Sequence, residues 1–204
     1  MEAMEFFQRS EGKWLSQRAT HHLPFRRTEV GDSEITVETL AADHPKVIEI
    51  CQLHEVEPNK AAGGAFVRWH GSMAWDKEDE NHEGSTVFAI VPDSDNPREG
   101  QMLRERGYAE IVPIAGRYLL DEDGALVLIT EYETMSSVER FWFAGPDLRM
   151  RTSTVKRFGG FSTASFCTES RVGSSEGVGS HSEASSAPAQ ETSDSKQFYS
   201  ALGW

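Results

Sequence analysis

The segment from residue 139 to residue 171 carries the pattern that most limits how this chain can fold. Runs of aromatic and β-branched residues are interrupted at Gly145-Pro146-Asp147 and at Gly159-Gly160, which is typical of antiparallel strands joined by tight turns. Successive side chains of a strand point to opposite faces of its sheet. The segment therefore predicts two or three consecutive strands, each with two distinguishable faces.

Charged residues share a face with aromatic rings on these strands. One face of the first strand carries Glu139, Phe141 and Phe143. One face of the next strand carries Arg149, Arg151 and Ser153. Solvent-facing charges are the ordinary interpretation of a single Arg-x-Arg, but a wet face would leave both phenylalanines exposed. The alternative is a cavity of apolar rings with a few placed charges, the usual make-up of a ligand site. A fitting ligand is flat and largely apolar, with carboxylates for the arginines and N–H groups for the glutamate.

The rest of the chain repeats this alternation of strands and turns. Gly12-Lys13-Trp14 opens a long strand, and the runs that follow bring the total to about ten short strands. Two short helices are predicted at residues 2–9 and 43–54, and the second is a candidate lid or plug. Strands joined in order by short connections favour an antiparallel up-and-down β-barrel over a sandwich. A closed barrel of this size can hold one small ligand.

Length, charge and cysteine content narrow the class of protein further. With 204 residues, 38% of them hydrophobic, the chain can build one domain with a real core. A net charge of −13 argues against nucleic acid or an anionic membrane as a partner. No stretch resembles a signal peptide or a membrane span, and the spacing of Cys51 and Cys167 indicates neither a disulfide framework nor a metal site. A reducing, cytoplasmic location is therefore expected.

The composition changes abruptly near residue 173. From there the chain is rich in small, polar and acidic residues and has few apolar ones. Such a segment cannot bury enough surface to offset the entropy lost on ordering. The predicted organisation is a barrel domain over residues 1–172 and a disordered, low-complexity tail over residues 173–204.

Seven motifs occur in unbroken order between about residues 5 and 172. They are Glu11-Gly12-Lys13-Trp14, Ser16-Gln17-Arg18, His21-His22-Leu23, HEGSTV from His82, GYAE from Gly107, ITEYETM from Ile129, and RTSTVKRFGGFSTASFC from Arg151. Together they resemble the CpcS/CpeS-type (S-type) phycobiliprotein lyases. The Gly-x-Trp at the start of the first strand also resembles the lipocalin-type barrel signature. In that signature the tryptophan closes one barrel end beneath a basic residue of the last strand.

The resemblance implies a lipocalin-like, fatty-acid-binding-protein-like barrel that binds an open-chain tetrapyrrole. It implies delivery of phycocyanobilin or phycoerythrobilin to a cysteine of an apo-phycobiliprotein subunit, without a permanent cofactor. The active form would be a homodimer or a heterodimer with a related lyase subunit, in the cyanobacterial cytoplasm near the thylakoid. The residues carried over are Glu139 as the catalytic residue and, for bilin binding, Arg149, Arg151, Ser153, Arg18, Trp69, Trp75 and His21.

The chemistry of a bilin agrees with the residues singled out first. Guanidinium forks match carboxylates, so Arg149 and Arg151 can fix the two propionates. Glu139 can accept hydrogen bonds from several pyrrole N–H groups and so favour the protonated pigment. Protonation makes the ethylidene of ring A more electrophilic toward a thiol. The attacking sulfur would belong to the client protein, while the barrel controls conformation, protonation and access.

Two other function classes remain open from the sequence. A carrier for bilin, haem or fatty acid would need the same apolar lumen and arginines. Glu139 disfavours a fatty acid, because a buried carboxylate beside the ligand's own carboxylate is unfavourable. A bilin reductase would need an electron donor, and no flavin or nucleotide fingerprint is visible in the sequence.

Overall fold

Ten antiparallel strands close into a barrel in this computed structural model, which describes residues 1–74, 76, 82–105 and 114–173. In chain order they are β1 (Gly12–His22), β2 (Arg27–Leu40), β3 (Gly63–Met73), β4 (Gly84–Pro92), β5 (Glu99–Arg104), β6 (Ile114–Leu120), β7 (Leu126–Glu131), β8 (Met135–Phe143), β9 (Leu148–Arg157) and β10 (Gly160–Arg171). Each strand pairs with its neighbours in sequence, and β1 closes the barrel against β10. The predicted up-and-down barrel is confirmed. Trp75, the motif at Gly107 and the tail predicted over residues 173–204, apart from Gly173, lie outside the described residues.

Two α-helices accompany the barrel, α1 (Ala3–Ser10) and α2 (Pro45–Leu53), close to their predicted positions. One-turn 3-10 helices occupy Leu23–Phe25 and Pro58–Lys60. Helix α1 begins with a capping box, in which the Glu2 backbone N–H donates to the Glu5 carboxylate at 2.7 Å. Within the described residues, no helix is long and apolar enough to cross a membrane.

Helix α1 closes one end of the barrel. Its Phe6 and Phe7 are almost completely buried and belong to the same core as Trp14 and Phe88. The rings of Phe7 and Phe88 lie 4.9 Å apart, and those of Phe6 and Phe143 lie 5.0 Å apart. Aromatic pairs at this separation add to the free energy gained by burying their surface. The end of the barrel at α1 is therefore a packed hydrophobic floor.

Replacing Phe6 with alanine is expected to lower the free energy of unfolding by about 3–5 kcal/mol, because it leaves a cavity in the floor. Urea denaturation followed by tryptophan fluorescence measures the change. Phe158→Ala provides the matched control, since the Phe158 side chain is 87% exposed and its removal should change stability by less than about 0.5 kcal/mol. Equal effects of the two substitutions would contradict the assignment of α1 to the core.

Helix α2 lies on the outside of the barrel, so its prediction as a lid or plug is wrong. Its buried residues Val47, Ile50 and Cys51 pack against outward-facing residues of β4 and β5. The outward-facing residues are Ala89, Val91 and Leu103. Together with Ala61 and the buried residues of α2 they form a second hydrophobic cluster. Burial raises the pKa of the Cys51 thiol, which fits the prediction of a small core residue with no reactive role.

Trp14 closes the floor in the way that the Gly-x-Trp resemblance predicts. Its ring is fully buried, and its Nε1 donates to the carbonyl of Ser10 at 2.8 Å. The guanidinium carbon of Arg171, from the last strand, lies 4.2 Å from the ring centroid. Gly12 has a φ of +111°, which favours glycine, and a Cβ there would lie 3.2 Å from Arg171 Nη1. The glycine therefore leaves room for the cation above the tryptophan.

The opposite end of the barrel carries no α-helix among the described residues, only the 3-10 helix Leu23–Phe25 in the connection between β1 and β2. Some interior-facing side chains toward this end are partly exposed, as Arg18, Ser165 and Arg157 are, although Thr20, Val155 and Thr163 near them are buried. We call this end the mouth; the hairpin tips of β1–β2 and β9–β10 lie there. A ligand would enter the interior through it.

Candidate functional site

The late strands place their charges inside the barrel. On β8 and β9 the register pairs Glu139 with Ser153 and Phe141 with Arg151. All four side chains are buried, which confirms that this face looks into the interior. Five interior side chains, here called the charged cluster, are Arg18, Glu139, Arg149, Arg151 and Glu169. Charged groups buried together in this way must be paired or held for a ligand.

Arg151 lies at the centre of the charged cluster. Its Nη2 donates to Cys167 Sγ at 3.2 Å, its Nη1 lies 3.9 Å from Glu139 Oε1, and its Nε lies 3.7 Å from Glu169 Oε1. Burial lowers the pKa of the Arg151 guanidinium, but interactions with Cys167, Glu169 and Glu139 outweigh it and raise that pKa. Arg151 therefore stays charged inside the barrel. Both carboxylates lie within 4 Å of its guanidinium group.

Arg149 lies one layer deeper, next to the floor. Its Nε donates to Glu169 Oε2 at 2.5 Å, and its guanidinium carbon lies 4.7 Å from the centroid of the Trp14 ring. Burial lowers the pKa of Arg149 despite this partner. Sequence reasoning missed Glu169, which β10 places directly opposite Arg149. A ligand carboxylate that binds Arg149 would have to compete with Glu169.

Replacing Glu169 with leucine is expected to lower the free energy of unfolding by about 3–5 kcal/mol, because Arg149 is left as a buried charge without its partner. The double variant Glu169→Leu with Arg149→Met removes both charges and should recover most of that loss. Thermal or urea unfolding of the two variants measures the difference. A single variant as stable as the wild type would show that the pair does not support the floor.

Arg18 brings a third cation into the cluster from β1. Its strand partner on β10 is Cys167, and its Nη2 donates to Met73 Sδ at 2.9 Å. Burial, and then the charge of Arg151, lower the pKa of Arg18. The cost of holding two guanidinium groups near each other falls when an anion binds between them. Arg18 and Arg151 therefore form a candidate binding site for a carboxylate.

Polar and aromatic groups surround this cluster toward the mouth. Trp69 lies in the barrel interior, as predicted, and is almost fully buried. Ser153, also predicted, stands beside Glu139. The hydroxyls of Thr130 and Ser137, paired across β7 and β8, are buried and have no hydrogen-bond partner within the described part of the chain. These two hydroxyls, which the sequence did not single out, are candidate ligand contacts.

The structure does not bring His21 to the other predicted site residues. Residues 14, 16, 18, 20 and 22 of β1 face inward, so His21 faces outward, where it is exposed and contacts Thr28 Oγ1 at 2.9 Å. Its neighbour His22 faces the interior near the mouth, and its Nε2 lies 3.0 Å from Glu29 Oε2. If a histidine of this pair reaches a ligand, the geometry favours His22.

The barrel interior has little free space beside the floor. The cavity beside the floor measures about 10 Å³, and its lining includes Phe6, Phe7 and Arg149. That is room for about one water molecule, far below the ~300–1,000 Å³ of small-molecule sites. The part of the interior beside the floor therefore has no room for a pigment-sized ligand.

Residues 2–172 match the family model described as CpeS-like protein, which covers the whole barrel. The Synechocystis sp. protein named chromophore lyase CpcS/CpeS 2 is 66% identical over 191 residues, covering 94% of this chain and 97% of that protein. The phycocyanobilin lyase subunit CpcS of Picosynechococcus sp. is 58% identical over 203 residues, covering 100% and 98% of the two chains. The structure of the S-type phycobiliprotein lyase CPES from Guillardia theta is similar with a TM-score of 0.75 and 39% identity, covering 86% of this chain and 95% of that chain.

Proposed function

The chain belongs to the CpeS-like protein family, and from this premise we propose that it is a chromophore lyase that transfers an open-chain tetrapyrrole to a cysteine of an apo-phycobiliprotein subunit. The observation that carries the proposal is the inward convergence of Arg18, Arg151 and Glu139 inside a closed barrel. An open-chain tetrapyrrole is flat and largely apolar. Its two propionates match the two arginines, and its pyrrole N–H groups match the glutamate.

The residues have distinct roles in this proposal. Arg151 and Arg18 bind the propionates, and Arg149 is a third cation that a propionate reaches only by displacing Glu169 from it. Trp69 lies against the face of a pyrrole ring. The bilin-binding role that the family resemblance implies for Trp75 stays a prediction. Ser153, which stands beside Glu139, donates a hydrogen bond to the pigment. The bilin is a substrate, so no resident cofactor is needed.

Electrostatics in the site support a protonated pigment. The interior holds more guanidinium groups than carboxylates, since Arg104 is buried there in addition to the charged cluster. This excess of positive charge favours ionised propionates on the bilin. The carboxylate of Glu139 is completely buried, and it favours an added proton on the pyrrole nitrogens because it accepts hydrogen bonds from their N–H groups.

The transfer step is an addition. The client thiolate attacks the exocyclic ethylidene carbon of ring A, a carbon–sulfur bond forms, and the proton of the thiol ends on the pigment. Nothing is oxidised or reduced, so no electron donor is required. The barrel contributes orientation, a protonated electrophile and exclusion of water from all but the reacting edge.

Mixing the purified protein with phycocyanobilin and with phycoerythrobilin, each with single apo-phycobiliprotein subunits, tests the proposal. We expect pigment colour on the apo-subunit that survives denaturation, formed faster than without the protein. A pigment that binds but never becomes covalently attached would instead indicate a bilin carrier. Oleate and haem added in parallel distinguish a general carrier, which would bind them as tightly as bilin.

We also propose the finer features that the family membership suggests. The active form is a homodimer or a heterodimer with a related lyase subunit. The protein acts in the cytoplasm, close to the thylakoid surface where phycobiliproteins assemble. Light scattering of the purified protein, alone and with a related subunit, gives the oligomeric state.

A further inference from the structure

The mouth of the barrel carries large apolar side chains that nothing in the described structure covers. They sit on two hairpin tips, the β1–β2 connection and the β9–β10 turn. Phe25 is 71% exposed, Phe158 87% and Phe161 60%, and Leu23 is also exposed. Exposed rings clustered at one end of a monomer mark an interaction site more often than an ordinary surface.

The two tips are neighbours because β1 and β10 are paired. The register joins His22, the last residue of β1, to Thr163, and the 3-10 helix Leu23–Phe25 continues beside the start of β10. On the other side of the turn, Phe161 pairs with Lys156 and Gly160 with Arg157. The rings of both tips therefore lie along one arc of the mouth, at the entrance to the interior that holds the charged cluster.

Three cations stand among these rings. Arg26, Arg27 and Lys156 are exposed, and none of them has an ion pair within the described residues. The nearest acidic residue along the first hairpin, Glu29, is taken by His22. In a chain of net charge −13, a local group of unpaired cations mixed with exposed rings has the composition of a protein-binding surface for an acidic partner.

We propose that this arc, consisting of Phe25, Arg26, Arg27, Lys156, Phe158 and Phe161 and here called the docking lip, binds the acceptor protein through an acidic surface around its reacting cysteine. The inference rests on the proposed function. A bilin held by the charged cluster presents its outer edge at the mouth, so the acceptor thiol has to approach there. Rings on the lip supply buried apolar area, and the cations steer and orient the acidic partner.

An anionic membrane is the other surface that basic residues and exposed rings can bind. The overall negative charge of the chain opposes it, because the rest of the molecule would be repelled from anionic lipid. The placement of the lip at the opening of the ligand site also favours the acceptor, since only a transfer partner needs to meet that opening.

Two lip variants test the proposal in the full-length protein. Phe25→Ser with Phe158→Ser removes the two most exposed rings, and Arg27→Glu with Lys156→Glu reverses two charges. Each protein is saturated with phycocyanobilin, and the initial rate of covalent attachment is measured against the concentration of the apo-subunit that the wild type labels. We expect the KM for the apo-subunit to rise about 10-fold or more in both variants. The bilin absorption spectrum and affinity should stay at wild-type values, because no lip residue belongs to the charged cluster.

Matched controls use exposed residues far from the mouth. Leu15→Ser removes an exposed apolar side chain from the outer face of β1 near the floor, and Lys60→Glu reverses a charge that precedes β3. Both should leave the KM unchanged. Raising the ionic strength should increase the KM of the wild type and have little effect on the charge-reversed lip variant.

The outcomes separate the lip from the function on which it rests. If the wild type transfers bilin and both lip variants keep its KM for the apo-subunit, the proposal that the docking lip binds the acceptor is wrong, and the proposed function stands. The wild type could also co-sediment with phosphatidylglycerol vesicles, and the lip variants could lose this binding while their KM stays unchanged. That result would contradict binding of the acceptor and indicate that the docking lip binds a membrane. If the wild type labels no apo-subunit, the proposed function fails and the lip fails with it. A loss of bilin binding in the lip variants would also overturn the proposal, because it would make these residues part of the pigment site.

Discussion

Replacing Glu139 with glutamine is expected to slow bilin transfer by about 10²-fold or more, while the pigment still binds. Glutamine keeps the shape of the side chain but loses the charge that favours a proton on the pyrrole nitrogens. The Glu139 side chain is completely buried, so solvent cannot replace that charge. The absorption band of the bound bilin should shift from that of the protonated pigment toward that of the neutral one. Stopped-flow absorbance of the variant mixed with bilin and then with apo-subunit records both effects.

The control for this prediction is Glu131→Gln. Glu131 ends the adjacent strand β7 and is exposed, so its neutralisation removes the same formal charge without touching the interior. It should leave the spectrum and the transfer rate unchanged. Transfer by Glu139→Gln as fast as that of the wild type would show that Glu139 does not set the protonation state of the pigment.

Replacing Arg151 with glutamine is expected to weaken bilin binding by about 10²-fold, since a buried charge-assisted contact to a propionate is lost. The substitution is also expected to affect the stability of the protein. Arg151 also faces Glu139 and Glu169, so the variant leaves two buried carboxylates with less positive charge around them. Fluorescence quenching titrations with phycocyanobilin give the affinity, and urea unfolding shows whether stability falls with it.

A second substitution keeps this prediction testable if the glutamine variant folds poorly. Arg151→Lys retains the charge but loses the planar fork, so the protein should fold and bind bilin about 10-fold more weakly. Arg140→Gln is the matched control outside the barrel, where Arg140 pairs with Asp121 and Asp123. If Arg151→Lys and Arg151→Gln both bind bilin like the wild type, a propionate contact at Arg151 is excluded.

Strand alternation predicted the inward face of β8 and β9 correctly. The reason is physical: Phe141 and Phe143 share a face with Glu139, and burying the rings buries the carboxylate with them. The same alternation, counted from the buried Trp14, puts His22 and not His21 in the interior. His21 entered the predicted site through the family resemblance, and strand parity argues against it.

Glu169 escaped prediction because of a local irregularity between β9 and β10. Near the turn Phe161 pairs with Lys156, but a bulge between residues 161 and 163 shifts the register by one, and Thr163 then pairs with Val155. Counting from the turn without the bulge would place Thr168, not Glu169, opposite Arg149. A single extra residue therefore decides which partner the buried arginine has.

The position of α2 needed information that the helix itself does not contain. Its apolar stripe predicts a buried side, but both an inner and an outer surface of the barrel could receive it. The signal was in β4, where residues 87–91 are apolar at every position and so require cover on both faces. One parity fills the barrel core, and the other is buried beneath α2.

Within the part of the chain that the structure describes, α1 and Trp14 close one end of the barrel and leave the mouth as the entrance, and this has a kinetic consequence. Pigment must be loaded through the same passage that the acceptor later blocks, so the two substrates have to arrive in a compulsory order, bilin before acceptor. An acceptor supplied in large excess should then occupy empty protein and slow its own labelling.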